Sequence, residues 1–146
     1  MKSKVEIKVD NQILIIRFKS KTDMNKILDP LSNKYEGELN NRDGHNFPSA
    51  FIPDKSHLLS PYKKSCSYVI GIYNASGMTH ELLHAKYYVD SNYRESINKE
   101  WAELPRKQRV HITQFLKTLG YADKVIIDEY QAYRYSEPAN FFGIKL

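Results

Sequence analysis

The sequence is short of cysteine: Cys66 stands alone among 146 residues. One thiol cannot close an internal disulfide, which excludes a disulfide-stapled scaffold and leads us to expect a reducing compartment. Long apolar runs are missing as well. The stretch Ile13-Leu14-Ile15-Ile16 spans four residues, where a membrane-spanning helix needs about 20. The opening residues alternate charged with apolar side chains, where a signal peptide would hold an unbroken apolar segment. A soluble, cytoplasmic (intracellular) protein without a membrane partner is expected. No run of five or more like charges is present either. The net charge is +5, from 22 Lys+Arg against 17 Asp+Glu, and it is scattered over Lys19 and Lys21, Lys63 and Lys64, then Arg106, Lys107 and Arg109. A nucleic-acid partner therefore has little in its favour. There is no internal repeat and no low-complexity segment.

What is present suits a folded domain: 41% hydrophobic and 27% charged residues, in a length that fits one domain over 1–146. Residues 4–19 read as a β-hairpin, with Val5, Ile7 and Val9 alternating against charged neighbours and Asp10-Asn11 supplying the turn. A helix capped by Thr22 or Asp23 follows, carrying Met24, Ile27, Leu28 and Leu31, with Pro30 kinking or ending its first part. Residues 36–65 are punctuated by glycine and proline. Phe47, Phe51 and Ile52 are apolar enough to anchor them, so this segment is expected to be ordered. Residues 67–73 form a strand signal. Helices are expected over about 78–93, 107–119 and 125–136, with residues 94–104 continuing helically up to Pro105. Gly120 and Pro138 act as stops, and Asp123 caps the last helix. The fold class is α+β.

The informative residues are Thr79-His80-Glu81-Leu82-Leu83-His84, which match His-Glu-x-x-His on the helix that follows this strand. Four helical residues turn through about 400°, so His80 and His84 lie one above the other on one face, where both imidazoles can reach one ion. Glu81 projects about 100° round from His80, where it can act on water without being a ligand. Leu82 and Leu83 are expected to anchor the helix in the core.

With this motif the chain resembles the zincin metallopeptidases. A catalytic zinc site takes a third protein ligand and leaves one position open. Asp90, six residues after His84, lies about 240° away on a continuing helix, and Tyr87 stands where a sharp turn would need glycine. His111, between Val110 and Ile112, reads more simply as a packing or surface residue. The segment 127–133 resembles the glutamate helix of gluzincins, which implies Glu129 as the third ligand and Ala132 as the small residue that lets two helices approach. The resemblance covers 67–136 and is nearest to minimal single-domain gluzincins. It implies a zincin-like fold: a small mixed or antiparallel sheet packed on an active-site helix and a C-terminal glutamate helix. Thermolysin-type members carry Asp four residues after the ligand Glu, where this chain has Tyr133. The oxygen that orients a ligand histidine must then come from Asp128, Asn74 or a backbone carbonyl.

The resemblance implies a zinc-dependent hydrolase acting on a peptide or protein substrate, with Zn2+ held by His80, His84 and Glu129 and Glu81 as general base. Tyr130 and Tyr133 are candidates for stabilising the oxyanion. The family commonly adds its substrate as an extra strand at the sheet edge, here the strand over 67–72, with residues 36–65 roofing the cleft. A deformylase reading fails, because Cys66 follows Lys-Lys-Ser where Glu-Gly-Cys is required. Cys66 reads as a small core residue. Two alternatives stay open: a regulatory peptidase cleaving a repressor-like protein, and a non-catalytic protein-binding module retaining a zincin fold. Substrate preference and oligomeric state are not encoded in any motif.

Overall fold

The structure, a computed structural model, describes residues 5–146. The first hairpin residue expected from the sequence, Lys4, lies outside the described residues. The hairpin consists of β1 (Glu6–Asp10) and β2 (Ile13–Arg17), paired antiparallel with Asp10 opposite Ile13. Its turn falls one residue later than expected. Asn11 and Gln12 are the central pair, and both have positive φ, 50° and 69°, the backbone twist that a two-residue hairpin demands.

Helix α1 (Lys21–Glu36) begins at Ser20, whose hydroxyl accepts from the Asp23 amide at 3.1 Å. It does not end at Pro30 but continues through it. That residue is solvent-exposed, so water can bond the Lys26 carbonyl that Pro30 has no N–H to reach. The segment 36–65 is ordered as expected, around β3 (His45–Pro48) and two single-turn 3₁₀ helices. Strand β4 (Tyr68–Ile72) pairs parallel with β2 and antiparallel with β3.

The result is a four-stranded mixed sheet in the order β1-β2-β4-β3. β4 is buried along its whole length, as expected of a strand covered on both faces. On one face Leu14, Ile16, Phe47 and Val69 pack against Met24, Leu28 and Leu31 of α1. Gly71 permits this approach, since a Cβ there would collide with the Leu28 side chain. On the other face Tyr68, Ile70 and Ile72 pack against Ala85 of α2 (Met78–Val89).

The helix expected over 78–93 stops at Val89. Asp90 then caps α3 (Ser91–Glu103), accepting from the Tyr93 amide at 3.0 Å. Helix α4 (Arg106–Thr118) ends before Gly120, which has φ +107°. A 3₁₀ turn over Asp123–Val125 leads into α5 (Ile126–Ser136). Asp123 makes no side-chain cap and pairs instead with Lys117 at 2.8 Å. A second core, built on Ile112, Leu116, Ile126, Tyr130 and Phe142, joins α4, α5 and the C-terminal segment. The described residues thus form an α+β fold with five α-helices and one sheet. No helix among them is long and apolar enough to cross a membrane.

Candidate metal centre

Helices α2 and α5 pack together and carry His80, Glu81 and His84 on one and Asp128 and Glu129 on the other. Within α2 the buried positions are Glu81, His84 and Ala85. Leu82, expected in the core, is 40% exposed, and Leu83 is half-buried. The helix therefore turns its polar residues inward. Burial of that kind is tolerated only when each polar group meets a partner.

The structure brings His80, His84 and Glu129 into one cluster. His84 Nε2 lies 3.2 Å from His80 Nε2 and 3.2 Å from Glu129 Oε1, and His80 Nε2 lies 3.9 Å from Glu129 Oε1. Donors held tetrahedrally about one ion at about 2.0–2.1 Å stand about 3.3–3.4 Å from one another. Glu129 Oε1 is buried and has no hydrogen-bond partner, as a ligand oxygen would.

The far side of each ring fixes which nitrogen faces the cluster. Ser136 Oγ donates to the Ala132 carbonyl at 2.6 Å, which spends its one proton. It must therefore accept from His80 Nδ1 at 3.0 Å, leaving a lone pair on His80 Nε2. His84 Nδ1 donates to Asp128 Oδ1 at 2.9 Å, which turns the Nε2 of His84 toward Glu129. Asp128 is in turn fixed by Gln131 Nε2 at 3.1 Å, and Tyr93 bonds Gln131 Oε1 at 2.7 Å. Of the orienting groups expected from the sequence, Asp128 is in place for His84. Asn74 caps a 3₁₀ turn at Ser76 instead. Ser136 carried no sequence signal. Two imidazoles and one carboxylate, each imidazole tied to an oxygen behind it, suit a borderline divalent ion with an open position.

Glu81 is buried beside this cluster. Asn46 Nδ2 donates to its Oε1 at 3.0 Å, and Tyr68 Oη donates to Asn46 Oδ1 at 2.5 Å. A Cβ at Gly44 would collide with the Glu81 carboxylate, so a side chain there would displace it. Burial pushes the Glu81 carboxyl up to about 7, the range of a general base at neutral pH. His80 is pushed down to about 3 by burial and by His84. Burial also pushes His84 down, but Asp128 and Glu129 outweigh it and hold that ring well above its usual range.

A cleft of about 650 Å³ opens over the cluster. Its walls include Gly44, Asn46, Tyr121 and Tyr133 beside His80 and Glu81. The Tyr133 ring lies 4.5 Å from that of His80, and its hydroxyl bonds that of Tyr121 at 2.8 Å. Tyr130 points elsewhere. It packs edge-on to Trp101 and bonds Glu100, which removes it as an oxyanion donor. His111 bonds the Phe142 carbonyl at 2.7 Å, and Asp90 is the α3 cap, so neither joins the cluster. Cys66 is a buried thiol bonded to the Tyr62 carbonyl at 3.4 Å. The strand over 67–72 is not at an edge either: β4 is paired on both sides, and the edge strand nearest Glu81 is β3.

No protein-family model, curated protein or solved structure matches the sequence.

Proposed function

We propose that the chain is a zinc-dependent peptidase of the gluzincin kind, with a zincin-like fold. The observation that carries this reading is the convergence of His80 Nε2, His84 Nε2 and the partnerless Glu129 Oε1 next to a buried carboxylate that is not one of the three. A purely structural ion needs no such neighbour. A zinc ion bound by these three residues supplies a Lewis acid for the scissile carbonyl and acidifies water. Glu81 takes the proton of the attacking water and returns it to the leaving amine. Asn46, anchored by Tyr68, holds the Glu81 carboxylate in line through this exchange. Tyr133, oriented by Tyr121, offers a hydroxyl donor to the developing oxyanion.

The test is metal content followed by turnover. One zinc per chain is expected in the native protein and none in His80→Ala/His84→Ala. Glu81→Gln should keep its zinc and lose about 10²–10⁴-fold in peptide hydrolysis. A protein that takes up no zinc, or a Glu81→Gln variant as active as the native chain, would overturn the proposal.

A further inference from the structure

Glu36, the last residue of α1, is a buried carboxylate that the proposed reaction does not use. Arg42 Nε holds its Oε1 at 3.3 Å, while Oε2 is buried without any hydrogen-bond partner. Among the described residues only one other buried side-chain oxygen is left so, Glu129 Oε1, and that one faces the two histidines. Orphaned acceptors are costly and persist where something outside the chain completes them.

Glu36 lines the cleft together with His80, Glu81 and His84. None of the lining side chains bonds its free oxygen. Arg42 is the one Lys or Arg among the described lining residues, and it is fully engaged. Besides Glu36 it bonds Asp29 at 3.2 Å, Asn33 at 2.6 Å and the Gly37 carbonyl at 2.9 Å. Asp43, Glu81 and Glu137 stand on the same walls, with Asp43 paired to Lys21 Nζ at 2.7 Å.

We propose that Glu36 receives a cationic nitrogen of the bound peptide, so that the cleft selects substrates carrying an α-ammonium, lysine or arginine at the subsite that Glu36 floors. With Oε1 tethered to Arg42, Oε2 is the oxygen left for a charge-assisted hydrogen bond, and a cation there offsets the burial and the Glu129 charge that hold this carboxyl well above its usual range. A neutral isostere leaves that oxygen unpaired, which is the condition under which a polar subsite discriminates most strongly. This inference rests on the peptidase reading, and its test keeps the two apart.

The probes are degenerate octapeptide libraries in two versions, one containing lysine and arginine, the other norleucine and citrulline in their place. Each is made with a free and with an acetylated N-terminus and labelled at a C-terminal cysteine. Cleavage by the zinc-loaded protein tests the peptidase reading alone. Binding to zinc-loaded Glu81→Gln, followed by fluorescence anisotropy, tests Glu36 whether or not cleavage occurs. Cationic peptides should bind about tenfold to a hundredfold more tightly than neutral ones. That ratio should collapse toward one in Glu36→Gln/Glu81→Gln. Loss of preference on acetylation alone identifies the α-ammonium; loss on norleucine and citrulline alone identifies a side chain. Should Glu36→Gln leave Arg42 unbalanced and unfold the protein, Glu36→Asp keeps the charge while withdrawing the oxygen by one methylene, and a reduced ratio is again expected. Equal affinity for cationic and neutral peptides, or a preference that survives both Glu36 variants, overturns the proposal.

Discussion

Asp128→Asn probes the hydrogen bond that orients His84. Asp128 is buried, and its Oδ1 accepts from His84 Nδ1 at 2.9 Å and from Gln131 Nε2 at 3.1 Å. The amide has almost the same size and keeps one acceptor oxygen, so cavity formation does not enter. What is lost is charge. A hydrogen bond to a charged group contributes about 1.5–3 kcal/mol and a neutral one about 0.5–1.5 kcal/mol. The imidazole thus loses about 1–1.5 kcal/mol of support, which is about fivefold to tenfold in metal affinity at about 1.4 kcal/mol per decade. Losing the ring's orientation as well carries the effect toward the hundredfold limit seen for such outer partners. The assay is zinc competition against a chromophoric chelator at pH 8, alongside urea unfolding of the metal-free protein. A zinc dissociation constant within twofold of the native value, in a variant whose metal-free stability is unchanged, would refute the argument that Asp128 supports the site through His84.

Gly44→Ala should keep its zinc but lose about a hundredfold in turnover, since the new methyl group displaces the Glu81 carboxylate; zinc analysis and kinetics on one preparation decide this. His45, neutral in the fold, is pushed down to about 3 by burial and by Arg42, against about 6.5 when unfolded. The stability this confers is therefore complete above about pH 6.5 and drains away as the pH falls toward 3, by up to about 1.4 kcal/mol per pH unit. His45→Gln should flatten that slope in urea unfolding between pH 7 and 4.5, and parallel curves for the two proteins would count against it. Leu82→Gln should change stability by less than about 0.5 kcal/mol, whereas Leu28→Ala, buried between α1 and the sheet, should cost about 2–5 kcal/mol; chemical denaturation compares the two.

How far the site could be read in advance depended on sequence distance. His80, Glu81 and His84 fall within five positions of one helix, so the helical repeat alone puts the two imidazoles together. Glu129 came from the likeness of its segment to a glutamate helix, not from spacing. Ser136 and Asn46 gave no signal. They lie 56 and 35 positions from the side chains they bond, and a serine or asparagine at a helix end or in a short strand looks like any other. The inward anchoring of Leu82 followed from the rule that apolar residues face the core. In α2 that face is occupied by Glu81, His84 and Ala85, and the satisfied polar cluster displaces leucine to the surface. The break at Asp90 was missed because a capping aspartate and a mid-helix aspartate differ only in what their neighbours do. The strand over 67–73 was legible from its β-branched residues, but its central place in the sheet depends on β3, whose four residues include His45, Asn46 and Pro48 and carry little strand signal.

Ser136 is the terminal residue of α5, and its hydroxyl is held by the Ala132 carbonyl one turn back. Helix ends open far more often than helix middles. Each opening of that last turn releases the acceptor on His80 Nδ1 and frees the ring to rotate, so the lifetime of the final turn governs how long His80 stays ready to bind. If an ion binds the cluster, its occupancy and the fraying of α5 become two sides of one equilibrium. Amide hydrogen exchange over the last turn of α5 should slow on adding zinc by the same factor in which opening weakens binding. A chain that shortens or loosens this turn would shed its metal without altering any of the three converging side chains.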